Sequence, residues 1–154
     1  IKDKKCIDYY STNQDVNLGF KPVKEILTEE NIKITDLKIL NKELNPIETV
    51  LSGEKINIVL KVNKGLANNV LHFGVGFYDR EDTPQFHCST EALQKPIYNS
   101  DGDYEVVLTI PKWPLIEGNY YINVYIKDGK KLLYHAIESY WMYCEKGDFY
   151  NTGV

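Results

Sequence analysis

GNYYINVYIKDG, residues 118–129, decides the fold class. Tyr120, Ile122, Val124 and Ile126 alternate with Tyr121, Asn123 and Tyr125. A period of two means that one set faces a core and the other faces away, as in a half-buried strand. Asp128-Gly129 closes the segment with a hairpin signal, both central positions of which are expected to need φ > 0.

The same period extends in both directions. Ile32 and Ile34, then Leu37 and Ile39 after a one-residue slip, predict a strand with a bulge near Thr35 and Asp36. Ser52-Gly53 is a turn before Ile56, Ile58, Leu60 and Val62. Leu71, Phe73, Val75 and Phe77 form the apolar face of a strand over 70–79, whose other face reads His72, Gly74, Gly76, Tyr78. A short strand follows, with Phe86 and Cys88 inward and Gln85, His87 and Ser89 outward. After a turn at Asp101-Gly102, Tyr104 to Ile110 gives another strand, and Pro111 to Pro114 interrupts the pattern. The last strand covers 137–144, Tyr140 and Met142 inward, Ser139, Trp141 and Tyr143 outward. Seven to eight short strands, with no βαβ alternation, predict an all-β fold: an immunoglobulin-like antiparallel β-sandwich. Residues 32–144 form it. Residues 1–31 are polar and weakly periodic; they are expected to be a linker or N-terminal arm, with a short helix starting at Pro22. Residues 145–154 are a C-terminal tail.

The chain has 154 residues, one domain's length, and 43% hydrophobic residues, enough to bury a core. Its net charge of -4 gives no electrostatic reason to bind nucleic acid. Cys6, Cys88 and Cys144 are odd in number and widely spaced, which argues against a disulfide framework and fits a reducing compartment. No stretch approaches the roughly 18 apolar residues that span a bilayer, and no signal peptide is visible. A first residue Ile1 and a single methionine, Met142, are expected of a piece of a longer protein.

Enzyme motifs are missing: no G-x-x-x-x-G-K-[ST], no G-x-S-x-G, no H-E-x-x-H. His72, His87 and His135 lack metal-ligand spacing, and Cys88 would face away from His72 and His87, so no metal and no cofactor is expected. The aromatic count is informative instead. Twelve Tyr against five Phe and two Trp suggest rings placed outside the core, since Tyr joins an apolar ring to a polar tip. If strands 70–79, 118–127 and 137–144 are neighbours in one sheet, with 85–89 at its edge, then His72, Tyr78, Gln85, His87, Tyr121, Asn123, Tyr125, Trp141 and Tyr143 share one outward surface, over a shallow floor at Gly74 and Gly76. Rings stack on the C–H faces of a pyranose, and Asn, Gln and His hydrogen-bond its hydroxyls. Periodicity alone leaves two uses for this surface: a non-catalytic carbohydrate platform, or an aromatic face buried against a partner protein.

Four segments add a resemblance: SGEKINIVLKVN (52–63), LHFGVGFYDRED (71–82) with FHCST (86–90), IEGNYYINVYIKDG (116–129) and GDFYNTG (147–153). In this order they are similar to the C-terminal domain of Wzt, the nucleotide-binding subunit of ABC transporters that export O-antigen polysaccharide. The resemblance runs from about Ile32 to Val154. It implies a cytoplasmic domain of lipopolysaccharide biosynthesis, held at the inner face of the inner membrane through the transporter. The implied partners are the O-polysaccharide, a second copy in a homodimer, the ATPase domain of the same chain and the transporter's membrane subunit. It also implies that residues 1–31 join the ATPase domain and that the tail packs on, or exchanges with, the second subunit. Cargo-binding residues do not transfer by identity, so the candidate site rests on the outward face.

Overall fold

The structure, a computed structural model, describes residues 19–64, 70–98 and 102–150. Among them no helix occurs. The strands are β1 (Lys24–Leu27), β2 (Lys33–Leu40), β3 (Thr49–Leu51), β4 (Ile56–Asn63), β5 (Val70–Tyr78), β6 (Pro84–Ser89), β7 (Ile97–Tyr98), β8 (Tyr104–Ile110), β9 (Gly118–Asp128) and β10 (Lys131–Glu145). Cys6, Asp101 and residues 151–153 of the terminal segment lie outside the described residues.

Two sheets enclose one core. The larger runs β1-β10-β9-β5-β6, with β3 also on β10 and β7 also on β5; the smaller is β2-β4-β8. Pairing is antiparallel except between β3 and β10. Phe73, Val75 and Phe77 of β5, Ile122, Val124 and Ile126 of β9, and Met142 of β10 meet Ile34, Leu37, Ile58, Leu60 and Val62 from the smaller sheet. Each large apolar side chain so buried stabilises the fold by about 1.5–3 kcal/mol relative to exposure. The alternation seen in the sequence is therefore the inside–outside division of a sandwich, and the expected fold class is the observed one.

Several local expectations are corrected. Lys24–Leu27 is a strand, not the first turns of a helix. Its backbone extends the sheet by pairing with Tyr134–Ile137, and Lys21 and Val23 N–H groups donate to Ser139 and Ile137 carbonyls. Pro22 has no N–H to donate and sits at the sheet edge, where proline is tolerated. The last strand starts at Lys131 rather than 137. Lys131 pairs with Asp128, so the hairpin turn is Gly129-Lys130, and of these Gly129 alone has positive φ. The bulge near Thr35 is present, between Ile34 and Asp36.

A larger irregularity interrupts β10. Ala136 faces Val124 and Tyr140 faces Ile122, so four positions on β10 span two on β9. Glu138 takes φ 46° inside the bulge, its N–H donating to Asn123 Oδ1 at 2.8 Å. Ser139 is buried there, not outward, and its hydroxyl donates to the Ile122 carbonyl at 2.7 Å. Because two residues are inserted rather than one, parity survives: Ala136, Tyr140 and Met142 keep one face, and Trp141 and Tyr143 the other.

Trp113, between the two prolines, fills the end of the core. It is fully buried, meets Phe77 edge-on at 5.1 Å and Phe86 at 5.9 Å, and its Nε1–H points at Cys144 Sγ at 3.2 Å.

Candidate carbohydrate-binding face

The outward face of β6-β5-β9-β10 is organised in cross-strand rows. Rows two residues apart along a strand are separated by about 7 Å. Tyr78, Tyr121 and Trp141 form one row, since Tyr121 pairs with both of the others. Tyr78 and Tyr121 are stacked with centroids 5.2 Å apart, and Trp141 tilts against Tyr121 at 5.2 Å. Cross-strand aromatic pairs of this kind contribute about 0.5–1.5 kcal/mol each beyond area burial. Tyr121 is only 6% exposed and its hydroxyl donates to Asp82 Oδ1 at 2.9 Å. Burial, with Asp82 beside it, pushes its phenol well above the ordinary range. Tyr121 is thus a support, and half-exposed Tyr78 and Trp141 are the rings a ligand can reach.

The next row holds Asn123, Gly76 and His87; the one beyond holds His135, Tyr125, Gly74 and Ser89. The shallow floor expected at Gly74 and Gly76 is not open. A Cβ on Gly74 would fall within the Tyr125 ring, and one on Gly76 would lie 3.2 Å from the Tyr78 ring. Each missing side chain lets a neighbouring tyrosine lie down. Tyr125 then stacks on His87, centroids 5.6 Å apart, and its hydroxyl lies 3.1 Å from His87 Nε2. Burial and the nearby Lys127 lower the His87 pKa, which favours the neutral ring that can accept this bond. Gly74→Val is expected to destabilise the fold by about 1–3 kcal/mol through overpacking. In a Tyr125→Ala background the penalty should largely vanish, a non-additivity that thermal melts of the single and double variants would measure.

The remaining candidates sit at the margins. His72 pairs with Lys127 and its Nδ1 is 3.1 Å from Thr90 Oγ1. Gln85 is exposed and donates to Asp79 Oδ2 at 3.0 Å and the Thr83 carbonyl at 3.2 Å. Tyr143 pairs with Asn119, and its hydroxyl is 3.4 Å from Glu117 Oε2. Asn123 commits Oδ1 to the Glu138 bulge. All nine residues therefore lie on the larger sheet or its edge, but apart: the Tyr78 row, the Tyr125–His87 pair with His72 beyond it, Asn123 between these two, Gln85 at the β6 edge and Tyr143 at the far end. Sequence reasoning missed His135, placed opposite Tyr125 by the six residues of β10 before 137, and Asp82, brought to Tyr121 by the β5–β6 turn. Among the described residues, His, Cys, Asp and Glu form no group of three that could hold a metal ion.

Fold and face together define an all-β sandwich with an outward aromatic surface on its larger sheet. Within that class the chain belongs to the Wzt C-terminal domain family, whose model matches residues 26–142. A crystal structure of the C-terminal domain of Wzt is similar to it with a TM-score of 0.72 at 15% identity, over 84% of this chain and 83% of that one. A Niemann-Pick type C2 protein from Japanese carpenter ant has a TM-score of 0.54 at 11% identity, over 82% of this chain and 98% of its own. At these identities the structural likenesses concern the fold alone. No curated protein sequence matches the chain.

Proposed function

We propose that this domain binds O-antigen polysaccharide on the outward face of β6-β5-β9-β10 and thereby selects cargo for an ABC transporter, without catalysis of its own. The observation that carries the reading is the Tyr78–Tyr121–Trp141 row, two reachable rings held in place by a buried third. Membership of the Wzt C-terminal domain family supports the cargo and the transporter context. The chain then works beside an ATPase domain and a membrane subunit on the cytoplasmic side. Two copies in a homodimer would add weak single-sugar contacts into useful avidity.

The test is retention of the isolated domain on a panel of immobilised bacterial O-polysaccharides, including that of the source strain. Selective retention on one or a few is expected; retention on none contradicts the reading.

A further inference from the structure

The outward face is electrically lopsided, and the asymmetry narrows the cargo. Around the Tyr78 row and at the Tyr143 end lie three carboxylates: Asp82 on Tyr121, Glu138 in the bulge beside it and Glu117 on Tyr143. Around Tyr125 the charged neighbour on the sheet is Lys127. Lys127 Nζ lies 5.1 Å from the centre of the Tyr125 ring and has no carboxylate partner among the described residues. His72 is directly opposite Lys127, His135 directly opposite Tyr125, and His87 stacks on Tyr125. Two of the chain's three histidines thus flank Lys127, His72 paired opposite it and His87 within reach of its charge, in a protein with net charge -4. Glu91, at the rim, is the carboxylate whose charge reaches Tyr125.

The ammonium of half-buried Lys127, without a carboxylate partner and with imidazoles and an aromatic ring beside it, suits an anion more than a neutral hydroxyl. Charge-assisted hydrogen bonds are roughly twice as strong as neutral ones. The carboxylates at the other end would repel the same group, so a chain carrying it is held in one direction. Resting on the glycan reading above, we infer that the cargo bears an anionic substituent, a carboxylate or a phosphate, which sits at Lys127 while a neighbouring sugar stacks on Trp141 or Tyr78.

The experiment measures affinity of the domain by isothermal titration calorimetry. The probes are bacterial O-polysaccharides containing hexuronic acid, each paired with its carboxyl-reduced form, and phosphorylated ones, each paired with its dephosphorylated form. Removing the charge from the cognate polysaccharide is expected to weaken binding about ten-fold or more. Whether the carboxyl or the phosphate pair shows this loss identifies the substituent. In Lys127→Gln the two members of the pair should bind alike, while Trp141→Ala should weaken both and keep their ratio. Equal binding of charged and neutralised forms by the unaltered domain, or a preference that survives in Lys127→Gln, overturns the inference and leaves the glycan reading standing. Binding of no polysaccharide in either form, that of the source strain included, overturns both.

Discussion

Trp113→Ala is expected to cost about 3–5 kcal/mol of folding stability, the range for removing a large buried aromatic side chain. Trp113 has no exposed surface and closes the core between Phe77, Phe86 and Cys144. Its removal empties a cavity at the end of the sandwich and leaves Cys144 without its indole donor. That loss is a large share of the 5–15 kcal/mol typical of a whole domain. Urea unfolding followed by far-ultraviolet circular dichroism measures it; a midpoint close to that of the unaltered domain would contradict the packing described above. Trp113→Phe should fall between the two, since it keeps an aromatic ring and loses the N–H.

Trp141→Ala, in contrast, is expected to leave the fold in place and weaken polysaccharide binding about ten-fold, or roughly 1.4 kcal/mol. Trp141 is half-exposed on the outward face, where it leans on Tyr121 and is not itself among the buried core residues. Aromatic anchors dominate binding surfaces, so truncating one loses more than truncating a rim hydrogen-bonding group. The matched control is Gln85→Ala, whose amide already bonds Asp79 and Thr83. It should change affinity little. Calorimetric titration reads the difference, with a thermal melt to show that each variant is folded. The opposite order, Gln85 sensitive and Trp141 silent, would move the site off the sheet face and onto the β5–β6 edge.

Alternation made the sheets legible because a period of two is set by the strand itself and needs no knowledge of neighbours. It placed Phe73, Val75 and Phe77 inside and His72 and Tyr78 outside, as found. It also survived the bulge at 137–139 because that insertion is even. What it could not give was decided by partners distant in sequence. All four residues of Lys24–Leu27 are exposed, so no alternation marks the segment; it is a strand because β10 offers an edge. Gly74 and Gly76 read as open space, but Tyr125 from β9 fills the first and Tyr78, two residues along β5, lies over the second. Tyr121 counted as an outward ring, yet Tyr78, Trp141 and Asp82 close around it. Trp113 lay between prolines, outside any periodic segment, and still became the largest fully buried side chain.

The most direct test of the binding face is a nuclear magnetic resonance titration of the isotopically labelled domain with an oligosaccharide of its cognate O-polysaccharide. Shift changes at the Trp141 indole N–H and the Tyr78 and Tyr125 rings, with the β2-β4-β8 sheet unmoved, are the predicted result. Changes confined to β2, β4 and β8, or a spectrum unaltered at saturating sugar, would contradict it.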